Sequence, residues 1–434
     1  MVTEQLYELF LQHPVISTDT RKIAQGSLFF ALKGDTFDAN SFAQQAIEAG
    51  AAYAVIDNAQ YRISEQYILV DDVLTKLQDL ARYHRKQLQI PVIGLTGTNG
   101  KTTTKELIKA VLSQHFKTYA TQGNLNNHIG VPLSVLSITN EYDMAVIEMG
   151  ANHQKEIEML CTISQPTHGL ITNVGKAHLE GFGGTEGVKI AKGELYDYLQ
   201  ATNGTIFINT DSPVLAEMKA ARNLQNTIGY GTKEPGNLIT GKVTKNAPYV
   251  SLEWSGSNNV SHEVDSHLTG AYNLDNMLAA ICIGTYFKMS DAEINAGLSS
   301  YQPTNNRSQI MQTAHNTLIC DYYNANPSSM AVAIDNISTM DAKDKVLVLG
   351  DMFELGDESA AEHEAIIQKA IAAPVNQRIF IGKAFFDLKP GFSADFFETT
   401  DDAIKALKEK PVKHSTVLLK GSRGMALERL VELF

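Results

Sequence analysis

The chain has 434 residues, of which 44% are hydrophobic and 19% charged, and a formal net charge of −12. These values fit a globular protein of roughly two to three domains and exclude a broad nucleic-acid-binding surface. Cys161, Cys282 and Cys320 are too scattered for a disulfide framework or a metal-ligand spacing, so a reducing compartment, the cytoplasm, is expected. The opening MVTEQLYELFLQHP has no basic segment followed by an apolar core, and no apolar run reaches membrane-spanning length. Neither a signal peptide nor a membrane span is expected.

In chain order, three blocks emerge. Residues 1–89 mix short apolar strands (GSLFFAL, AAYAVI, YILV) with a helix around Ala43–Ala49 and the helical pattern VLTKLQDLARYHRKQL, which stops just before Pro91. Residues 90–305 carry short apolar runs, IPVIGL, DMAVIEMG, THGLITNVG and NGTIFINTD, with helical segments between them. That alternation predicts a doubly wound α/β domain whose strands are buried on both faces. The stretch from about 236 to 268 alternates polar and apolar residues and predicts an antiparallel excursion, followed by a helix near Asn273–Phe287. SYQPTNNR reads as a linker, with a hinge at Pro303–Arg307. Residues 306–434 repeat the βα alternation with four expected strands, NTLICDYY, KVLVLGD, QRIFIG and STVLLKGS. This third block is Rossmann-like but lacks the dinucleotide glycine fingerprint. The fold class is therefore α/β in three domains, with a mixed α/β N-terminal domain.

GLTGTNGKTTTKE, residues 94–106, lies between a strand and an amphipathic helix. Gly97 and Gly100 permit a turn that aims backbone N–H groups and the positive end of the helix at an anion. Lys101 is placed to reach outer phosphates, and Thr102 to offer a hydroxyl to Mg²⁺. Glu148 closes the run DMAVIE, at the end of a strand where ligands of open α/β sheets bind. His178 follows LITNV, and Lys192 lies in the helical segment KIAKGELY. His153 stands close after Glu148 and is a candidate base, although a structural role suits it better.

Taken together, these segments resemble the Mur ligase family. TGTNGKTTTKE is similar to that family's shortened phosphate loop, which has no glycine at the position of Leu95. GNLNNHIGVPLS, EMGANHQKEI, NVGKAHLEGFGG, VKIAKGE, DYYNANPSSM, GDMFELG and KGSRG resemble further blocks of it, and STDTRKIAQGSLFFALKGDTFDANSFA resembles a uridine-nucleotide domain. The resemblance implies a cytoplasmic, monomeric ligase that uses ATP and two Mg²⁺ ions to join D-Ala-D-Ala to UDP-N-acetylmuramoyl-tripeptide. It implies a nucleotide site at Gly97, Thr98, Asn99, Gly100, Lys101, Thr102 and Thr103, with Asn273, Arg307 and Asp321. Thr102, Glu148, His178 and a carbamylated Lys192 would hold metal; Lys101, Glu148, His178 and Lys192 form the implied catalytic set. Thr18, Arg21, Lys33, Asn124, Asn126, Asn127, Asn324 and Asn326 would meet the other substrates. His128, Tyr272 and Tyr322 depart from the family pattern, where Asp, His and Ser are usual. Another ligase of the superfamily, adding a single amino acid or a folate glutamate, is the nearest alternative. A P-loop kinase or ATPase would need no amine.

Overall fold

The structure is a computed structural model that describes residues 1–434 except Asp35, Ala177, His178 and Glu234, and the side chain of Leu179. Three main sheets follow one another along the chain. The first is parallel, with the order Ile16–Ser17, Leu28–Phe30, Tyr53–Ile56, Tyr67–Leu69. A small antiparallel ribbon, Lys33–Gly34 with Phe37–Asp38, stands beside it. The expected first-block helix is Ala43–Glu48.

The central sheet has nine strands among the described residues. Its parallel part runs Thr118–Ala120, Met144–Glu148, Val92–Thr96, His168–Ile171, Thr205–Asn209, Thr227–Gly231, Ile239–Lys245. Ser251–Gly256 and Ser261–Asp265 then add antiparallel strands, the excursion expected from the alternating pattern. The chain starts this sheet at Val92–Thr96, in the interior, and later strands fall on both sides of it. That reversal opens a crevice at the carboxyl ends of the strands, where the phosphate loop leaves the sheet.

In the third block the sheet has six strands rather than the expected four. The two extra ones are the edges: Gln309–Gln312 pairs antiparallel with Thr317–Asp321, and Asp395–Phe397 pairs parallel with Gln377–Ile381. Both are short and only partly buried, so neither carries the continuous apolar run that marks a central strand.

Packing joins the blocks in two different ways. Leu77 and Leu80 of the helix Val73–Gln87 share one hydrophobic cluster with Val135, Ile147 and Leu160 of the central block. Each such buried leucine contributes roughly 1.5–3 kcal/mol. Buried Arg85 donates to Ser164 O at 2.9 Å and Leu88 O at 2.9 Å, and closes the same junction. The third block has its own clusters, on the two faces of its sheet. It meets the central block through polar contacts, among them Lys176 to Glu362 at 2.5 Å and Asn336 to Thr269 at 3.3 Å.

Candidate active site

The loop Gly97–Gly100 passes directly from the strand Val92–Thr96 into the helix Lys101–Leu112. Gly97 has φ +147° and Gly100 φ +75°, conformations that side chains avoid. A Cβ on Gly97 would stand 2.0 Å from Thr172 Oγ1, and one on Gly100 2.8 Å from Asn276 Oδ1. The end of the neighbouring strand holds the loop in place. Thr98 N donates to Asn173 O at 2.9 Å, Asn99 N to Asn173 Oδ1 at 3.0 Å, and Thr172 Oγ1 to Asn99 O at 2.7 Å. The first N–H groups of the helix have no intrahelical acceptor, so they and the helix dipole are suited to an anion.

Lys101 Nζ donates to Gly97 O at 2.8 Å and Thr98 O at 3.0 Å. Burial pulls its pKa below the usual lysine value; the Glu148 charge opposes that shift and Arg307 adds to it. Glu148 is 2% exposed. Its Oε2 accepts from Thr102 Oγ1 at 2.9 Å and its Oε1 from Asn126 Nδ2 at 2.8 Å. A buried carboxylate beside a hydroxyl, at the foot of a phosphate loop, is the hard-oxygen donor set that suits Mg²⁺, which takes few protein ligands and keeps phosphate or water oxygens. Among the described residues no group of three or more His, Cys, Asp or Glu could hold a metal by itself. His178 lies outside the described residues.

Lys192, on the helix Thr185–Ala201, is 2% exposed. Its Nζ stands 3.5 Å from Ala151 O and 5.1 Å from the centre of the Phe182 ring. Burial, with the charge of Lys101, pushes its pKa down to about 7. The lowered pKa favours the uncharged amine, which is the form of a lysine that reacts with CO₂.

These groups border a cleft of about 730 Å³ between the second and third blocks. Thr98, Asn99, Gly100, Lys101, Thr102 and Thr103 form its floor; Asn124, Asn126, Asn127, Glu148 and Asn273 line its central side. Arg307, Asp321, Asn324 and Asn326 line the opposite side. Gly97 supports the floor through Thr172, and Lys192 lies behind Ala151, which is on the wall. Thr18 and Arg21 instead line a separate pocket of about 260 Å³ in the first block. There Arg21 holds Asp19 at 2.8 Å, and that hydrogen-bonded pairing lowers the Asp19 pKa to about 2. Lys33 is on the nearby ribbon, 2.8 Å from Asp57.

Several predicted residues are already engaged. Asn273 donates to Thr269 O at 2.8 Å and accepts from Asn276 Nδ2 at 2.9 Å. Asp321 meets Lys420 Nζ at 2.7 Å and the Ser308 N–H at 3.3 Å. The Arg307 guanidinium stacks 3.6 Å from the Tyr323 ring centre. Asn326 caps the helix Pro327–Thr339 by accepting from Ser329 N at 2.9 Å. It also donates to Asn99 Oδ1 at 2.8 Å, while Asn99 Nδ2 donates to Ser328 Oγ at 2.8 Å. The phosphate loop is thus hydrogen-bonded directly to the third block.

Of the departures from the family pattern, His128 is exposed on the cleft wall. The Tyr272 hydroxyl is 2.7 Å from Ser308 Oγ, and Tyr322 packs into a core cluster of the third block. His153 is exposed, with its ring 3.7 Å from Glu156. Sequence reasoning missed Asn173, Asn276, Ser328 and Lys420 on the cleft wall. Asn173 was accessible to the same rule as Glu148, since it follows the strand His168–Ile171 at its carboxyl end.

Three family descriptions match the chain: "Mur ligase family, catalytic domain" over residues 14–85, "Mur ligase middle domain" over 95–284 and "Mur ligase, glutamate ligase domain" over 306–423. The UDP-N-acetylmuramoyl-tripeptide–D-alanyl-D-alanine ligase of Bacillus subtilis (strain 168) is 36% identical, over 98% of this chain and 94% of its own length. The crystal structure of MurF from Acinetobacter baumannii superposes with a TM-score of 0.86 at 32% identity, covering 96% of this chain and 92% of that one. MurF ligase from Thermotoga maritima, solved in complex with ADP, gives a TM-score of 0.83 at 26% identity and covers 96% of each chain. With this likeness running through all three blocks, and with the shortened phosphate loop built as described, the chain belongs to the Mur ligase family.

Proposed function

We propose that the protein joins D-Ala-D-Ala to UDP-N-acetylmuramoyl-tripeptide, driven by ATP, to give the UDP-muramoyl-pentapeptide used in peptidoglycan synthesis, with ADP and phosphate. One observation carries this reading: phosphate loop, Glu148 and the third-block wall converge on a single cleft, in a chain 36% identical over nearly its whole length to a ligase of that name.

A carboxylate does not acylate an amine in water, because its leaving group would be oxide. In this reading the terminal carboxylate of the tripeptide attacks the γ-phosphorus of ATP, and ADP leaves. The resulting acyl phosphate is attacked by the dipeptide amine, and phosphate leaves from the tetrahedral intermediate. Lys101 and the N–H groups of the helix Lys101–Leu112 offset the repulsion between the two anions and the charge that develops at phosphorus. Thr102, Glu148 and a carbamylated Lys192 would hold the two Mg²⁺ ions with His178; bound there, Mg²⁺ neutralises phosphate charge. Carbamylation joins the neutral Lys192 amine to CO₂ and releases a proton, turning a buried amine into an oxygen-bearing anion. The enclosed position of Lys192 behind Ala151 supports that assignment.

Domain limits at 1–89, 90–305 and 306–434 give each block a task. The first holds the uridine diphosphate end in the Thr18–Arg21 pocket beside Lys33, the second carries ATP, and the third brings the dipeptide past Asn324. Asn124, Asn126 and Asn127, which line the cleft, would meet the tripeptide. A monomer acting in the cytoplasm completes the reading; the three cysteines are free and buried, and among the described residues no helix is long and apolar enough to cross a membrane.

The polar junction between second and third blocks supports a hinge at Pro303–Arg307, since such interfaces part more readily than a shared apolar core. Asn306 and Ser308 there have φ +56° and +53°. Solution scattering should report a more compact particle with nucleotide than without; identical profiles would remove the hinge. The activity itself is tested by supplying ATP, Mg²⁺ and UDP-muramoyl-tripeptide with either D-Ala-D-Ala or single amino acids, and weighing the product. A gain of the dipeptide is expected. A gain of one residue would reassign the substrate within the family, and amine-independent ADP release would point to an ATPase.

A further inference from the structure

Behind the phosphate loop lies a charge that the chemistry above does not use. Lys105, one turn into the helix Lys101–Leu112, is 0% exposed. An ammonium wholly removed from water is costly unless its donors and charge are met, and an apolar residue would fill the same space more cheaply. Its Nζ donates to Thr121 O at 2.6 Å and lies 2.9 Å from Glu106 Oε1. Thr121, 1% exposed, follows the edge strand Thr118–Ala120, and its Oγ1 accepts from Glu148 N at 3.0 Å. From Thr121 the chain turns through two short hydrogen bonds, Leu125 N to Gln122 O and Asn126 N to Asn124 O. This brings Asn126 Nδ2 within 2.8 Å of Glu148 Oε1. One buried ammonium therefore ties the phosphate-loop helix to the point from which both the backbone and the carboxylate of Glu148 are held.

We propose that Lys105 is a positioning residue: acting through Thr121, it sets the Glu148 carboxylate against Thr102 so that the pair can take a divalent cation. The proposal rests on the reading of Glu148 as a metal-holding residue. It explains why a lysine rather than a leucine stands at a buried helix position that does not itself line the cleft. Glu106 has the lesser part, as countercharge, because its side chain is 30% exposed.

The test uses the full chain loaded with ADP and Mn²⁺ as the probe, with binding followed by loss of the free-ion paramagnetic resonance signal. Lys105→Met and Thr121→Val should each weaken Mn²⁺ binding about tenfold, the cost typical of losing a residue that orients a metal ligand. Thr121→Ser, which keeps the hydroxyl, should restore it. The double variant Lys105→Met/Thr121→Val should be no weaker than either single one, because they interrupt one chain of contacts in series, the first at Lys105 Nζ to Thr121 O and the second at Glu148 N to Thr121 Oγ1. Affinity for ADP without metal should stay unchanged. Folded Lys105→Met and Thr121→Val proteins that bind Mn²⁺ like the parent, with only a lowered melting temperature, would overturn the proposal and leave Lys105 a packing residue. Should Lys105→Met not fold, Lys105→Gln, which removes the ammonium but keeps a polar end, takes its place in the same comparison. Glu148→Gln is the control: if it leaves Mn²⁺ binding intact, the metal-holding reading of Glu148 is what fails.

Discussion

Lys101→Ala is expected to lower kcat by roughly a thousandfold, with a much smaller loss of nucleotide affinity. The asymmetry follows from what holds the loop. Its shape depends on Gly97, Gly100 and hydrogen bonds to Thr172 and Asn173, none of which involves the lysine side chain. Among the described residues the Lys101 ammonium bonds to Gly97 O and Thr98 O, so its removal frees two loop carbonyls while the bonds to Thr172 and Asn173 remain, and it deletes the charge that would meet the phosphoryl group in transit. Lys101→Arg should not restore the rate, because a planar guanidinium cannot reproduce a point charge set between those two carbonyls. The measurement is ADP release under saturating tripeptide and D-Ala-D-Ala, beside fluorescent-ADP binding. Full activity in the alanine variant would remove Lys101 from the chemistry.

Glu148→Gln should cost on the order of a hundredfold or more in kcat and raise the Mg²⁺ concentration needed for half-maximal rate. The substitution keeps the volume of a side chain that is 2% exposed, so the fold should hold. It replaces an oxygen that accepts from Thr102 or Asn126 by a donor, which leaves one of those groups without its acceptor. It also removes the Glu148 charge, which favours a protonated Lys101, so burial would pull that lysine's pKa lower still. Lys192→Met is the companion: it should lose activity comparably and abolish uptake of label from isotope-labelled bicarbonate. A parent enzyme that takes up no label would withdraw the carbamate while leaving Glu148 in place. An unaltered Mg²⁺ requirement in Glu148→Gln would take the metal away from that carboxylate.

How much of this could be read in advance depended on whether the signal was local. The phosphate loop was legible because its conformation is dictated by glycines within a few residues of each other, between a strand and a helix that announce themselves by periodicity. The place of Glu148 on the cleft was legible because the carboxyl end of a buried strand in an open parallel sheet opens onto the crevice. The edge strands Gln309–Gln312 and Asp395–Phe397 were not, since an edge needs no continuous apolar run. The same limit hid the strands Thr118–Ala120 and Thr227–Gly231, which gave no recognised run of their own.

By itself, the order of residues determined the α/β class, the three successive blocks, the phosphate loop and the family to which the chain belongs. Only the tertiary structure decided that Asn326 bonds to Asn99, 227 positions away, that Tyr322 turns into a core, and that Lys105 is sealed inside with Thr121. The reason is physical: a glycine turn or a strand end is a property of neighbouring residues, whereas a side chain's partner is whatever the fold brings within about 3 Å of it, and separation along the chain carries no record of that distance.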